Sequence, residues 1–289
     1  MTWHFNCRLL GLLITLALTL TITEYSYWLA LLIGVGFVHY ALSFYYASAR
    51  MRELGSDPDA AVLLLSLAGL FAAVYFLGFS LEVYFGLHHA FNEAYLKRAS
   101  NADKSGTSTE LAPLRCLLHL ALYFCILRND PRLAEFPALL LWIFAGATAV
   151  AYVLKLRALS KAKGISVVWS DHSVELGMLA VLLLSFYFRI TFFQFVLYHF
   201  VIWTLLPIPA MKARGEGHLQ QYLLLTAAGL ALYFGAITVV APTQFSATLT
   251  VVLSQFYLWS YIHITASMAL SSAHPQWLVR LFQRGPAAA

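Results

Sequence analysis

The chain has 289 residues, of which 61% are hydrophobic and only 11% are charged, and its mean hydropathy is +0.75. This composition excludes an ordinary soluble domain and is typical of a polytopic membrane protein. The net charge of +5 and pI near 9.1 match the basic cytoplasmic loops of such a protein, so we infer no nucleic-acid role.

Ten apolar runs occur along the chain. They lie near residues 9–23, 25–49, 60–77, 80–96, 113–127, 137–154, 165–187, 190–208, 219–241 and 247–270. Residues 60–96 and 165–208 are each too long for one crossing at about 1.5 Å per residue, so we divide them at Gly78–Ser80 and around Arg189. The sequence therefore predicts an all-α transmembrane bundle of about ten helices, built as a single membrane-embedded domain over residues 1–289.

The basic residues are distributed unequally between the two predicted sides of the membrane. With the N-terminus in the cytoplasm, fifteen of the 18 Lys and Arg residues fall on the inner side, Arg115 among them. The three on the outer side are Arg128, Arg132 and Arg189. This positive-inside bias predicts a multi-pass protein of the cell's inner (plasma) membrane with both termini cytoplasmic. The first apolar run lacks a small-x-small cleavage site, so we expect it to be a retained helix.

The sequence also contains one polar stretch and three cysteines. Residues 99–110 (ASNADKSGTSTE) predict a cytoplasmic linker, which is the best place to divide the chain into two helical halves. Cys7, Cys116 and Cys125 show no metal-ligand spacing, so we expect them to be inert thiols.

Four histidines lie inside apolar runs at a similar predicted depth, and on helices that share one direction. They are His39, His88 (or its neighbour His89), His199 and His263. A buried imidazole is costly unless it has a partner, so four at one depth predict a shared metal site. Imidazole nitrogens suit iron, copper and zinc, and an imidazole-rich shell with open positions suits a non-haem Fe(II) that activates oxygen.

Several alternatives remain open at this point. His88 and His89 are about 100° apart on a helix, so only one of them can face the site comfortably. His119 is a fifth candidate, although a single intramembrane histidine is more often a structural hydrogen-bonding group. Glu93 lies one turn after His89 and can orient its imidazole, and Glu175 is a second carboxylate at membrane depth that needs a partner.

Aromatic residues lie close to the histidines along the chain. Phe195, Tyr198 and Trp203 flank His199, and Tyr40 follows His39. Aromatic residues in membrane helices are usually lipid-facing, but this placement also fits a flat apolar substrate pocket.

The histidine segments together resemble the motifs of the Brp/Blh family of membrane dioxygenases. The matching segments are residues 33–42 (IGVGFVHYAL), 87–93 (LHHAFNE), 118–120 (LHL), 174–176 (VEL), 198–203 (YHFVIW) and 262–263 (IH), in the family's order. The family's third motif carries two histidines four residues apart, whereas Phe195 stands four residues before His199. We therefore expect that His263 or His119 completes the site, or else that the shell has only three imidazoles.

The resemblance implies both a chemistry and a set of roles. It implies a histidine-bound Fe(II) oxygenase that uses O₂ to cleave or oxidise a carotenoid-like substrate, with β-carotene to retinal as the lead case. In that scheme the metal ligands are His39, His88, His199 and His263, while Glu93 and Glu175 are catalytic residues that orient them. The alternatives are an intramembrane haem electron carrier, a proton-coupled transporter, or a non-catalytic pigment-binding relative.

Overall fold

The computed structural model describes residues 3–55, 58–99, 107–130, 137–164 and 172–270. In these ranges the chain forms ten α-helices and no strand, which confirms the predicted all-α class. The helices are α1 (Trp3–Thr21), α2 (Tyr25–Gly55), α3 (Pro58–Phe76), α4 (Leu81–Ala99), α5 (Thr107–Ile126), α6 (Ala138–Lys163), α7 (Ser173–Leu184), α8 (Phe192–Leu205), α9 (Ile208–Arg214) and α10 (Glu216–Leu270).

Both divisions predicted within the long apolar runs are present. A turn separates α3 from α4, and Gly78 in that turn has a φ of 65°. Side chains with a Cβ rarely adopt this left-handed backbone, so a glycine suits the position. The segment that contains Arg189 separates α7 from α8. The sequence did not predict the short helix α9, which follows α8 after Pro207.

Four predicted features fall partly or wholly outside the described residues. They are the start of the run at 165–187, most of the linker at 99–110, Arg132 and both chain termini.

Helix α10 contains two segments that run in opposite directions. The ring of Phe37 on α2 lies 6.4 Å from the ring of Tyr233 and 6.0 Å from that of Phe256. These two α10 residues would be about 35 Å apart along a straight helix, so the chain reverses between them. Pro242, which lacks the backbone N–H of a helical hydrogen bond, stands in this interval. The two segments, which we call the first and second arms of α10, correspond to the predicted spans at 219–241 and 247–270.

Four helical stretches of the described chain are long and apolar enough to cross a membrane. They are Tyr25–Ser48, Ala138–Lys163, Phe192–Arg214 and Glu216–Val239. Large apolar side chains of the helices are also highly exposed, as at Leu65 (73%), Leu232 (75%) and Val239 (81%). Apolar helices with such exposed side chains require a hydrocarbon surrounding. These features indicate a membrane protein.

The contacts between helices divide the chain into two compact units. The first unit comprises Met1–Leu77 and Phe193–Thr265, and the second comprises Gly78–Phe192 and Ala266–Ala289. In the second unit α5 packs against α4, α6 and α7, so α5 is its central helix. Of the three boundaries between the units, the one at Leu77 and Gly78 falls in the turn between α3 and α4. The other two fall after Phe192, the first residue of α8, and after Thr265 inside α10.

In the first unit, a glycine lets α2 pack closely against α8 and α10. A Cβ on Gly36 would lie 2.5 Å from Phe256 Cε2 and 2.8 Å from Phe200 Cε2, which is closer than real Cβ atoms approach. The absence of a side chain at this position therefore permits two aromatic rings to lie against the α2 backbone. His39 follows less than one turn later, so the same close packing brings its imidazole towards α8 and α10.

We predict that Gly36→Ala destabilises the protein although alanine is the better helix former. Overpacking costs about 1–3 kcal/mol, whereas the gain in helix propensity is at most about 1 kcal/mol. Gly69→Ala is the matched control, because nothing lies within 4 Å of a Cβ built there on α3. Thermal unfolding in detergent should give a lower Tm for Gly36→Ala and an equal or higher Tm for Gly69→Ala. Equal Tm values for both variants would contradict the close packing at Gly36.

Candidate metal centre

Three of the predicted histidines converge inside the first unit. His39 comes from α2, His199 from α8 and His263 from the second arm of α10. Each offers one ring nitrogen, and these three nitrogens lie within 4.8 Å of one another. All three residues are buried, with exposed fractions of 7%, 3% and 7%. We call this group the histidine triad.

One distance inside the triad, that between His39 and His263, matches the separation of two ligands on one ion. The Nε2 atoms of His39 and His263 are 3.2 Å apart, and their ring centroids are 4.7 Å apart. Metal–nitrogen bonds of about 2.0–2.1 Å in a tetrahedral site place two ligand nitrogens about 3.3 Å apart. The ring of His199 lies 5.7 Å from that of His39. The donor set, three buried imidazoles, therefore fits iron, copper or zinc.

A hydrogen bond between two neutral imidazoles would have the same length. In that case one Nε2 carries a hydrogen and donates a hydrogen bond, and the other Nε2 accepts the bond with its lone pair. Such a pair explains two rings, but it does not explain why a third histidine arrives from a third helix within 4.8 Å. The convergence of all three histidines favours a single metal ion that all of them bind.

Aromatic rings enclose the triad. Phe200 lies 5.1 Å from His39, Tyr40 lies 4.9 Å from His263, and Trp203 lies 5.9 Å from His199, measured between ring centroids. Rings of this size exclude water from their surroundings, which strengthens any electrostatic interaction at the triad. Apolar walls with few polar groups are also typical of sites that bind apolar ligands.

His88 and His89 both lie on α4 in the second unit, and both are 1% exposed. Asn92, one turn after His88, donates from Nδ2 to His88 Nε2 over 3.0 Å. The ring of His89 lies 6.2 Å from that of His119 on α5. Glu93 is buried on the same helix, one turn after His89. The group that the structure brings together within the first unit thus comprises His39, His199 and His263, while His88 lies among residues of the second unit.

A second buried polar cluster lies in the second unit. Arg115 Nε and Glu175 Oε1 form an ion pair at 2.5 Å, and His119 Nε2 lies 3.6 Å from the same carboxylate oxygen. Arg115 also donates from Nη2 to the Tyr152 hydroxyl over 3.2 Å, and Tyr152 Oη lies 2.8 Å from His172 Nδ1. We call these five residues the ion-pair cluster.

The ion-pair cluster bears on two residues of the sequence analysis. The charge count places Arg115 in a cytoplasmic loop, but the residue lies in α5 and is 2% exposed, with its guanidinium paired to the Glu175 carboxylate. The resemblance implies that Glu175 orients metal-bound histidines, and its described contacts are with Arg115 and with His119, which is itself a candidate ligand. The sequence held one signal for this arrangement, since Arg115 and His119 are four residues apart and share a face of α5.

Comparisons of the chain with protein families, with curated proteins and with solved structures find no match. The interpretation of both clusters therefore depends on their geometry and on the residues themselves. Cys7, Cys116 and Cys125 are free thiols, and Cys7 and Cys125 are buried.

We predict that the purified protein binds about one transition-metal ion per chain and that each triad histidine is needed. Loss of one of three ligands should weaken metal affinity at least about 10-fold for His39→Ala, His199→Ala and His263→Ala. Metal analysis by mass spectrometry after purification measures this directly.

Two further variants complete this experiment. His172→Ala is the control, because His172 is also buried (8% exposed) but belongs to the ion-pair cluster. This variant should retain the metal. His88→Ala measures whether the predicted ligand on α4 contributes. Full metal occupancy in any of the three triad variants would remove that residue from the site.

Proposed function

We propose that this protein is a multi-pass protein of the cell's inner membrane and an Fe(II)-dependent oxygenase acting on a carotenoid-like substrate. The lead reaction is cleavage of β-carotene to retinal. One observation carries the proposal: three buried imidazoles converge from three helices, with one ring nitrogen of each within 4.8 Å of the others. The similarity of the histidine segments to Brp/Blh motifs supports the choice of iron and of substrate.

The residues of the triad have the right chemistry for this role. Three imidazole ligands leave coordination positions open, a feature that they share with the two-histidine, one-carboxylate sites of non-haem Fe(II) oxygenases. When bound there, Fe(II) would supply the activation of O₂ that oxidation of a polyene requires. His39, His199 and His263 hold the ion, and no carboxylate belongs to this group.

The aromatic residues around the triad suit an apolar polyene. Phe200, Tyr40 and Trp203 present rings within 6 Å of the three imidazoles. Flat rings contact a conjugated chain over a large area and keep water away from a reactive site. In this proposal they hold the substrate, orient it and prevent side reactions with solvent.

Haem ligation by the His39 and His263 pair is disfavoured by their spacing. Two axial nitrogens on opposite faces of one haem iron stand about 4 Å apart, because each bond is about 2 Å long. The observed 3.2 Å is shorter, and the two rings lie 4.7 Å apart between centroids with no porphyrin-wide gap. The absorption spectrum of the purified protein tests this directly, since a haem gives an intense Soret band.

We predict that cells making β-carotene lose orange colour and accumulate retinal when they express the wild-type chain. His199→Ala should abolish retinal formation, because it removes one of three iron ligands. His218→Ala, a change of an exposed histidine at the start of α10, is the matched control and should behave as wild type. Pigments are measured by extraction and chromatography.

Two outcomes would contradict the oxygenase proposal. Uncleaved carotenoid that co-purifies with iron-free protein would indicate the non-catalytic pigment-binding alternative. Iron-loaded protein that leaves several carotenoids unchanged in the presence of O₂ would exclude the substrate class.

The ion-pair cluster favours proton transfer as a second candidate function. A buried ion pair costs desolvation energy that an apolar replacement avoids, so it is weak evidence for stability. Ionisable side chains inside membrane proteins commonly mark proton pathways. Here His119, Tyr152 and His172 carry exchangeable protons and lie in one buried cluster with the Glu175 carboxylate.

We predict that, if the second candidate is correct, Glu175→Gln slows proton flux several-fold in proteoliposomes loaded with a pH-sensitive dye. The amide keeps the shape of the carboxylate but cannot carry a negative charge beside Arg115 and His119. Glu110→Gln is the control, since Glu110 is a partly exposed partner of Lys163 at 3.0 Å. A flux equal to that of protein-free liposomes in the wild type would exclude proton transport.

A further inference from the structure

Tyr40 follows His39 on α2, yet its side chain contacts a different ligand of the proposed centre. The Tyr40 hydroxyl lies 2.6 Å from Ser260 Oγ on the second arm of α10. Tyr40 is 4% exposed and Ser260 is 5% exposed, so water does not compete for this bond. Ser260 precedes His263 by three residues, which places the two side chains on neighbouring turns of one helical face.

The direction of this hydrogen bond follows from a second one. Ser260 Oγ lies 2.7 Å from the backbone carbonyl oxygen of Phe256, which can only accept. A hydroxyl has a single proton, so Ser260 donates that proton to Phe256 and accepts from Tyr40. The ordered chain from the Tyr40 hydroxyl through Ser260 to the Phe256 carbonyl ties the tyrosine to the α10 turn before His263.

The ring of Tyr40 also lies against the imidazole of His263. Their centroids are 4.9 Å apart and their planes are 33° apart, which is an offset packing of two flat rings. An imidazole turns about the bond to its Cβ, and a neighbouring ring across its face restricts that rotation. The hydrogen bond to Ser260 in turn prevents the tyrosine ring from moving aside.

We propose that Tyr40 is the positioning residue for His263, holding its Nε2 beside that of His39. The proposal rests on the proposed metal centre, because it describes how one of that centre's three ligands is oriented. Tyr40 itself supplies no metal ligand in this arrangement. It acts through the packing of its ring on His263 and through the hydrogen bond that holds the ring.

A first experiment tests the positioning in metal-free protein. In histidine-labelled protein, the N–H between His39 and His263 should give a downfield, slowly exchanging NMR signal that His263→Ala removes. Tyr40→Phe keeps the ring but loses the bond to Ser260, so we expect the signal to broaden or disappear. Ser260→Ala should have the same effect, and Ser260→Thr, which keeps an acceptor hydroxyl, should restore it.

A second experiment measures metal affinity by titration with Co²⁺, whose visible spectrum reports ligand number and geometry. Removal of a residue that orients a metal ligand typically weakens affinity about 10–100-fold, and we expect at least a 10-fold rise in Kd for Tyr40→Phe. The double variant Tyr40→Phe with Ser260→Ala should be no weaker than the weaker single variant, since both remove the same bond.

Tyr222→Phe separates positioning from a general loss of stability. Tyr222 is a buried tyrosine on the first arm of α10 whose hydroxyl donates to the Thr204 carbonyl oxygen over 2.6 Å. It contacts none of the three histidines among its described partners. Its variant should change Tm but leave both the NMR signal and the Co²⁺ affinity within twofold of wild type.

The outcomes distinguish this proposal from the proposed function. A persistent N–H signal in Tyr40→Phe, or a Kd within twofold of wild type, would overturn the positioning role. Wild-type protein that shows the Tyr40-dependent signal but binds no metal would support the positioning role and reject the metal centre.

Discussion

The structure of the first unit depends on the need to satisfy polar imidazoles inside an apolar bundle. A buried polar group without a partner costs about 2–7 kcal/mol, and no water is present in hydrocarbon to supply one. His39, His199 and His263 meet this requirement by converging on one another. Their convergence depends on close helix packing, which Gly36 permits, and on rings such as Phe200 and Tyr40 that fill the space around them.

The histidine triad and the ion-pair cluster bury their polar side chains by different means. The triad consists of three imidazoles, which in their neutral form present lone pairs to a cation. The ion-pair cluster places Arg115 against Glu175, so one positive and one negative charge neutralise each other beside His119. A cation would be repelled by the guanidinium in the second arrangement, which is why the metal centre is proposed at the triad and proton transfer at the ion-pair cluster.

The exposed apolar surface of the helices imposes a second requirement, which is that this surface be removed from water. Side chains such as Leu232 (75%) and Val239 (81%) are highly exposed, and a bilayer removes that apolar area from water without any contact between helices. Polar residues can then lie in the interior of the helical bundle, because apolar side chains at lipid-facing positions need no specific partners. The reversal of α10 lets both of its arms pack against α2 around Phe37.

The sequence by itself determined the all-α class, the membrane character and the positions of the histidines within apolar helices. Long apolar runs without charges leave few alternatives to helices, and the breaks at Gly78 and Arg189 followed from the length of a single crossing. The sequence could not decide which histidines meet. A membrane helix is apolar on every side, so its periodicity does not mark an inner face, and depth alone does not distinguish His88 from His263. Only the tertiary structure brought His39, His199 and His263 into one group and buried Arg115 against Glu175, because such contacts depend on how helices distant in the chain rotate and pack.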